Sequence, residues 1–508
     1  LDGINYDRTS GKEGERRAAA FLEKKLTEYG VAHTRYDVRA YLSWPIRAEV
    51  TVPGDSGWPP KAVTAAFGVS TPPGGLTAEL WWIPEDLPDD APLAAEARGR
   101  IVVARGLVSP DSVLRAQLAG AAAILHVNNA DILHEMIATT IWGAPTTESA
   151  ERIPRIPVVS IGRSDGEKLK AAAGKGASTI RLVTEVQKGW TSIPLVVADV
   201  KGGSADFVLV ATHLDAWYEG MTDTGGTVAS ILEMARVLQK SQKDLKRGVR
   251  FAWWPGHSFG RYAGSGWYVD HFWADLDAHA VAYTNLDGSG RRGSVMDGVY
   301  ARGWPGIGEY SREFVTTKLK KALPPVSTRL FRPGRDSDSA FQGIGVPEFN
   351  VGLPGPPREH PDMTSGRVNY WHTAQDTLDK IDLKALVLDT QYRVAQLYDL
   401  AAMPVLPLKV APIAAQYEQA ILDLQKAAGA RFDLAPALTA AQALGAAAEK
   451  LDAAPRPREP AKQAALNALL VRLTHRLNSA LYTKAGRFDQ DPAAELPFLP
   501  VLARAREL

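Results

Sequence analysis

The chain has 508 residues, of which 45% are hydrophobic and 23% are charged. This is an ordinary globular composition, and the length suggests about three domains. The 58 basic and 57 acidic side chains nearly cancel, which argues against a strongly basic nucleic-acid-binding protein. The chain contains no cysteine, so disulfide bonds, cysteine-ligated metals and a thiol nucleophile are excluded. We find no apolar run near the ~18 residues of a membrane span and no visible signal peptide.

The first 190 residues combine one helix with a β-rich segment. Apolar residues recur at helical spacing from Ala18 to Tyr29, and Ser10 and Glu13 before them fit a capping box. Residues 45–190 are rich in Pro and Gly and carry short strands of Val and Ile. This pattern is typical of a small β-rich domain inserted into a larger one.

Strands and helices alternate from about residue 191. Buried strands are predicted at 207–210, 250–254 and 280–286, and 228–238 forms the apolar face of a helix. The alternation predicts a mainly parallel sheet flanked by helices, in which ligands gather beyond the carboxyl ends of the strands. From about residue 408 the chain is rich in Ala and Leu at helical spacing. Its composition does not separate a plain helical bundle from a dimer interface.

Polar residues follow the ends of these strands. His213 and Asp215 follow the first strand, Asp223 lies in a Gly-rich turn before the next helix, and Asp287 follows the third strand. Imidazole nitrogen and carboxylate oxygen suit zinc and similar divalent ions, and Asp215 is a candidate to hydrogen-bond the ring of His213. Taken alone, His213 is more simply a packed loop histidine and Asp223 a helix cap. The joint pattern favours a metal site.

The second strand and a late segment complete the pattern. Residues 251–260 read Phe-Ala-Trp-Trp-Pro-Gly-His-Ser-Phe-Gly, and His372 follows Trp371. With these motifs, the chain resembles the zinc-peptidase family that includes bacterial leucyl aminopeptidases, glutamate carboxypeptidase II and the transferrin receptor. The resemblance covers nearly the whole chain, and the segment from residue 99 to residue 161 resembles the protease-associated domain of the longer members.

The resemblance implies an α/β fold, with a mixed, mainly parallel sheet flanked by helices. The implied domains are a metallopeptidase-like catalytic domain at 1–45 and 191–405, a protease-associated domain at 46–190 and a helical dimerisation-like domain at 406–508. It further implies a homodimer and favours a periplasmic or secreted protein. A short peptide or other small molecule is the implied substrate, and neither nucleic acid nor a membrane span is expected.

The resemblance also implies roles for the motif residues. In the family two metal ions share an aspartate that matches Asp223. One ion also binds residues that match His213 and Asp287, and the other binds a glutamate and a histidine that matches His372. A second glutamate, directly before the ligand glutamate, is the general base that activates the water nucleophile.

This chain lacks the adjacent glutamates of that motif. His257 stands at the position of the base and Ser258 at that of the ligand. Three ligands remain for one ion, so we expect one divalent ion per chain, zinc first, with manganese or iron as alternatives. His257 can accept a proton, bind a metal or merely fill space.

Four residues are candidates for substrate contact. Trp217, Trp254 and Trp371 lie in or beside the motifs, and as a group they favour an aromatic-lined pocket, although a core position is the simpler interpretation of any one. Trp371 stands where a tyrosine precedes the late histidine in the carboxypeptidase branch. Arg335 can meet a substrate carboxylate, and a solvated loop arginine is equally compatible.

Three functions are compatible with these features. The first is a metal-dependent hydrolase of an amide or peptide bond in a small substrate, for which the tryptophans favour an aromatic group, with His257 and Asp215 as catalytic residues. The second is a metal-dependent enzyme of different chemistry on the same scaffold, such as a lyase or a non-peptide hydrolase. The third is a catalytically inactive binding protein. Because most of the metal-ligand positions are retained, the inactive binding protein ranks last of the three.

Overall fold

The computed structural model describes residues 7–52, 60–88, 91–174, 176, 178–321, 334, 337–357, 369–494 and 496–506. The α-helices are α1 Glu13–Glu28, α2 Pro110–Leu118, α3 Arg163–Ala173, α4 Gly226–Lys240, α5 Ala263–His279, α6 Gly308–Glu313, α7 Leu383–Ala402, α8 Ala411–Ala428, α9 Ala435–Ala453 and α10 Pro460–Tyr482. The strands are β1 Ala32–Thr51, β2 Ala62–Thr64, β3 Leu76–Trp82, β4 Ile101–Arg105, β5 Ala123–Val127, β6 Val158–Ile161, β7 Thr179–Val200, β8 Phe207–His213, β9 Gly248–Trp254, β10 Ala280–Asn285, β11 Tyr300–Gly303 and β12 Phe349–Gly352.

A ten-stranded sheet runs through two parts of the molecule. These are the catalytic part, predicted at 1–45 and 191–405, and the inserted part, predicted at 46–190. The strand order of the sheet is β10-β8-β9-β7-β3-β4-β5-β6-β2, and β1 pairs with β7 beside this path. Strands β10, β8 and β9 are parallel, as are β3 to β6, whereas β7 runs antiparallel to β1, β3 and β9. The α/β fold with a mixed, mainly parallel sheet is therefore as predicted, and β8, β9 and β10 lie where the sequence places strands.

The β1–β7 ribbon connects the catalytic part to the inserted part. The two strands pair along their length from Ala32↔Asp199 to Thr51↔Arg181, and the register shifts between Pro45 and Arg47. The boundaries predicted at 45/46 and 190/191 fall within this ribbon, so the inserted part is joined to the catalytic part by continuous strands. The division into three domains stays a prediction.

Helices cover both faces of the catalytic part of the sheet. One core joins α1, α4 and α7 to the sheet, and the core on the other face includes residues of α5. Because successive side chains of a strand point to opposite faces, Trp253 lies in the first core and Trp254 in the second, and both are fully buried. The three parallel strands thus end at one edge, where the predicted site residues follow them.

The C-terminal helices form a further core with the catalytic part. Leu424, Leu434 and Leu481 pack around Trp304, which lies just after β11. His475 on α10 is hydrogen-bonded through Nε2 to the carbonyl of Ala280, at 3.0 Å. The helical character predicted for the C-terminal segment is confirmed. Among the described residues, no helix combines the length and apolar character needed to cross a bilayer.

The start of α1 differs from the predicted capping box. The N-cap residue is Lys12, which makes no side-chain cap. The hydroxyl of Ser10 instead donates to the Asp215 carboxylate at 2.7 Å, and the Gly11 N–H donates to the Glu15 carboxylate at 2.7 Å. A buried carboxylate gains more from a donor than an exposed helix end does, which explains why the tertiary contact is formed instead.

We predict that His126 makes the inserted domain sensitive to acid. Burial lowers the pKa of His126 to about 4, against about 6.5 in an unfolded chain. Between those pH values the unfolded chain takes up a proton that the folded domain does not, so the free energy of unfolding falls with pH, by ~3 kcal/mol at the limit. His126→Gln should flatten this dependence, measured as hydrogen exchange of amides in β5 between pH 6.5 and 4.5. Identical pH profiles for wild type, this variant and the exposed control His271→Gln would contradict the prediction.

Candidate metal centre and active site

His213 lies at the carboxyl end of β8 and is held by the backbone. Its Nδ1–H donates to the carbonyl of Asp215 at 2.7 Å. The carboxylate of Asp215, predicted to bind this ring, does not do so; the main chain of the same residue takes its place. With Nδ1 engaged, Nε2 is the nitrogen left for a ligand, and it is buried without a hydrogen-bond partner.

Asp223 and Asp287 converge on this nitrogen. The His213 Nε2 lies 3.5 Å from Asp223 Oδ1 and 4.0 Å from Asp287 Oδ1, and the three ligand atoms lie within 4.8 Å of one another. Ligand atoms bound tetrahedrally at the usual zinc distances are ~3.4 Å apart, so a small contraction would enclose a divalent ion. Among the described residues this is the cluster with the spacing of a metal site.

The charges of the cluster also fit a cation. Burial lowers the pKa of His213, but the carboxylates of Asp223, Asp287 and Asp215 raise it to about 10. Burial raises the pKa of Asp223, whereas His372 and His213 hold it well below its usual range. The carboxylates therefore stabilise positive charge at the imidazole, and a divalent ion between the same atoms meets that demand. The residues present thus fit a divalent metal ion.

His372 reaches the cluster from the late segment. Its Nε2 lies 3.0 Å from Asp223 Oδ2, and its backbone has a φ of 56°, in the left-handed region that a histidine rarely adopts. The structure thus brings His213, Asp223, Asp287 and His372 together, as their matches to the motif imply.

A segment of the inserted domain holds His372 in place. The Nδ1–H of His372 donates to the carbonyl of Glu135 at 2.6 Å, and the Glu135 N–H donates back to the His372 carbonyl at 3.0 Å. His134 Nδ1 donates to the carbonyl of Trp371 at 2.6 Å. Sequence reasoning did not identify His134 or Glu135, because the contacts to the late loop are largely made through the backbone and follow no motif.

Two further residues support the loop that carries Asp223. The Asp376 carboxylate accepts hydrogen bonds from the backbone N–H groups of Thr222 and Asp223, at 2.9 and 3.1 Å. Arg8 donates to the carbonyls of Leu214 and Gly220, each at 3.0 Å. Neither residue was identified from the sequence.

Asp215 supports the end of β9. Its carboxylate accepts from the backbone N–H of His257 at 2.9 Å and from that of Ser258 at 3.4 Å, in addition to the Ser10 hydroxyl. The two backbone contacts fix the chain that carries His257, and the Ser10 contact ties the same carboxylate to the start of α1. Asp215 therefore positions His257 in this structure, and its catalytic role stays a prediction.

His257 is paired with a buried aspartate. Its Nδ1 lies 2.8 Å from Asp338 Oδ2, and the other oxygen of Asp338 accepts from the Ser265 hydroxyl at 2.7 Å. The ring of His257 stacks on that of His213, with centroids 4.0 Å apart and an interplanar angle of 14°. The carboxylate at Nδ1 fixes the tautomer and leaves Nε2 as the basic nitrogen. Asp338 was visible in the sequence only as part of the segment that follows Arg335.

The predicted substrate residues have different positions. Trp371 stacks on the His372 ring at 3.5 Å, and Trp217 packs against Phe259 with centroids 4.1 Å apart. Trp254 lies in the core and donates its indole N–H to the hydroxyl of Tyr283 at 3.3 Å. Trp254 therefore supports the site by packing and does not line it. Arg335 lies outside the described residues.

A polar cavity opens beside the metal cluster. It has a volume of about 510 Å³, and Asp287 is one of its lining residues. Its other lining residues include Asn285, Arg291, Tyr300, Arg302 and Asn350. None of the three tryptophans lines it. The aromatic-lined pocket expected from the sequence is thus not the cavity that meets the metal ligands among the described residues.

We predict that Tyr218→Phe loosens the contact between the inserted domain and the His372 loop. The Tyr218 hydroxyl donates to Glu135 Oε1 at 2.8 Å, and Oε2 is buried without a hydrogen-bond partner. Burial raises the pKa of Glu135 to about 7 although this hydrogen bond opposes the rise. Removing the donor should cost ~1–3 kcal/mol, seen as a lower unfolding midpoint and faster exchange of the Glu135 amide. An effect no larger than that of Tyr398→Phe, an exposed control, would contradict the prediction.

Two family profiles match parts of this chain. The profile of peptidase family M28 matches residues 196–393, and that of the PA domain matches residues 66–169. A probable glutamate carboxypeptidase of Zea mays is 26% identical over 345 residues, which span 55% of this chain and 48% of that protein. A probable leucine aminopeptidase of Aspergillus oryzae is 24% identical over 287 residues, which span 55% of this chain and 54% of that protein. The chain thus spans about half the length of these curated relatives.

Solved structures show the same fold. The aminopeptidase of Aneurinibacillus sp. strain AM-1 superposes with a TM-score of 0.58 at 20% identity, covering 80% of this chain and 92% of that one. A peptidase M28 precursor from Shewanella amazonensis superposes with a TM-score of 0.61 at 21% identity, covering 80% of this chain and 92% of that one. The resemblance expected from the motifs is confirmed for the parts of the chain that the profiles cover, which are residues 196–393 for peptidase family M28 and residues 66–169 for the PA domain.

Proposed function

We propose that this chain is a metal-dependent hydrolase of an amide or peptide bond that uses one divalent ion, zinc foremost, and His257 as its base. The observation that carries the proposal is the pair of His257 and Asp338, 2.8 Å apart, stacked on the metal-ligand candidate His213. Manganese and iron are the alternative ions, because the donor set of imidazole and carboxylates accepts them as well.

His213, Asp223 and Asp287 would hold the ion. When bound there, a divalent ion would supply Lewis acidity, which polarises a carbonyl group and lowers the pKa of water. The second metal position of the family retains Asp223 and His372, but Ser258 replaces its carboxylate. A serine hydroxyl is a poor substitute for that ligand, which supports one ion per chain.

His257 would move the proton. Its Nε2 accepts the proton of the attacking water, and Asp338 stabilises the imidazolium that forms while holding the ring in position. His257 then returns the proton to the leaving amine. Asp215 positions His257 through the backbone N–H, at 2.9 Å. The three-residue cluster does not include His257, which supports the role of base over that of ligand.

The substrate we propose is a short peptide or a small amide. The names of the relatives, a carboxypeptidase and an aminopeptidase, support this class. The ring centroids of Trp371 and Trp217 lie 3.5 and 5.8 Å from that of His372. Neither ring lines the cavity that contains Asp287, so an aromatic group in the substrate is proposed from the sequence alone. A periplasmic or secreted location is proposed from the family resemblance alone.

We also propose that the chain forms a homodimer through its C-terminal helical segment. Leu422 on α8 and Phe432 after it are 42% and 46% exposed, which leaves apolar surface for a second copy. Sedimentation should then give twice the chain mass, and Leu422→Glu should lower it. A monomeric wild-type protein would contradict this proposal.

The central test of the proposed function is His257→Ala. On zinc-loaded protein assayed with aminoacyl anilides and N-acyl dipeptides, this variant should lower kcat by about 10²–10⁴-fold with unchanged zinc content. Asp338→Asn should cause a smaller loss, and Asp223→Ala should abolish both zinc binding and activity. His271→Ala, an exposed control, should change neither.

Other outcomes lead elsewhere. Full activity of His257→Ala would show that this residue is not the base, and loss of zinc from the same variant would make it a ligand. A wild-type protein that binds zinc but cleaves none of these substrates would overturn the proposed hydrolase. That result would favour different chemistry on the scaffold or an inactive binding protein.

A further inference from the structure

An arginine with unused hydrogen-bonding groups lines the cavity beside the metal cluster. Arg291 Nε and Nη2 are buried and have no hydrogen-bond partner. Among the residues that the structure describes, no carboxylate lies within ion-pair distance of this guanidinium. Nε and Nη2 carry the two parallel N–H groups with which arginine binds a carboxylate or phosphate side-on.

The position of this guanidinium depends on a glycine. Gly288 follows Asp287 directly and has a φ of 86°. A Cβ at this position would lie 2.1 Å from Arg291 Nη2. A side chain at position 288 would therefore displace the guanidinium. Because Gly288 has none, the cation can lie directly beside the backbone that follows Asp287.

Two carboxylates that interact electrostatically with Arg291, those of Asp389 and Asp376, are engaged by other donors. Asp389 lies 3.0 Å from Arg393 and accepts from the Leu353 N–H at 2.9 Å. Asp376 accepts from two backbone N–H groups of the Asp223 loop. Arg393 differs from Arg291 in that its donors are used, since it contacts Asp389 and also donates to the carbonyl of Val351 at 3.1 Å. The charge of Arg291 thus acts on its neighbours only at longer range, and its donors are left for a ligand.

We propose that Arg291 is the anion-binding residue of the substrate cavity, and that it receives a carboxylate or a phosphate group of the substrate. A buried donor pair without acceptors costs free energy that an oxyanion would recover. The cavity of about 510 Å³ has room for such a group together with the part of the molecule that reaches Asp287. That this anion belongs to a substrate rests on the proposed function; the anion site itself rests on the cavity.

The experiment measures binding without turnover. Calorimetric titrations of the zinc-loaded protein use glutarate, inorganic phosphate and glutaramide, which is a neutral analogue of glutarate. One of the two anions should bind at least about tenfold more tightly than glutaramide, and the tighter anion names the class. Arg291→Gln should weaken that binding by at least about tenfold, and Arg291→Lys should recover only part of it, because lysine lacks the fork.

Controls separate this site from other causes of anion binding. Arg292→Gln removes the same charge from an exposed neighbour, which donates to the carbonyl of Asp379 at 2.8 Å, and should change affinity less than about twofold. Protein stripped of zinc with EDTA should keep most of the affinity, because the anion is not on the metal. Circular dichroism verifies that each variant is folded.

Four results would overturn the inference. These are no binding of either anion, unchanged affinity in folded Arg291→Gln, an equal loss in Arg292→Gln, and a loss on zinc removal as large as that in Arg291→Gln. A protein that binds glutarate through Arg291 but hydrolyses no peptide or amide would keep the anion site and overturn only the proposed hydrolase.

Discussion

The carboxylate of Asp223 lies buried between two histidines. The other contacts of the site hold these histidines in the positions that stabilise its charge. Removing a carboxylate from water costs several kcal/mol unless its charge and lone pairs are matched. His372 Nε2 lies 3.0 Å from one oxygen, and His213 Nε2 lies 3.5 Å from the other. Each histidine is in turn oriented by a backbone carbonyl at Nδ1, one within its own loop and one in the inserted domain. The same arrangement that stabilises the anion also presents nitrogen and oxygen ligands to a cation.

This dependence extends to the inserted domain, which contacts the candidate site through Glu135. The carbonyl that orients His372 belongs to Glu135, and the return hydrogen bond fixes the backbone of the same histidine. The β1–β7 ribbon carries the inserted domain on continuous strands, so the position of Glu135 is set by the sheet as well as by this local contact. A motion of the inserted domain would therefore be transmitted to His372, a candidate metal ligand.

His257 and Ser258 lie beyond the end of β9, where the resemblance described above implies two adjacent glutamates. A carboxylate base needs no orienting partner, whereas an imidazole has two nitrogens and needs one of them engaged. Asp338 supplies that partner, and Ser265 satisfies its second oxygen. These are the contacts that the proposed role of His257 as the base calls for.

The ends of the strands were the part of the site that the sequence could predict. Buried runs of apolar residues locate β8, β9 and β10, and parallel strands bring His213, His257 and Asp287 to one edge. The partners of these residues could not be predicted. Asp338 lies 81 residues from His257.

Other contacts also escaped prediction, for physical reasons. The carbonyls that orient the ligand histidines carry no side-chain signal. Ser10 has the local pattern of a helix cap but serves the buried Asp215 instead. Trp254 lies at a strand end, and only the folded sheet, with helices on both faces, shows that the residue is fully buried.

The most direct test of the account is anomalous diffraction at the zinc edge from crystals of the zinc-loaded protein. The account predicts one metal peak, within bonding distance of His213, Asp223 and Asp287, with the His257 ring still paired with Asp338 and not bonded to the metal. Two peaks about 3.5–4 Å apart would contradict the single-ion site, because that is the spacing of two-metal centres. A bond from His257 to the metal would contradict its role as the base.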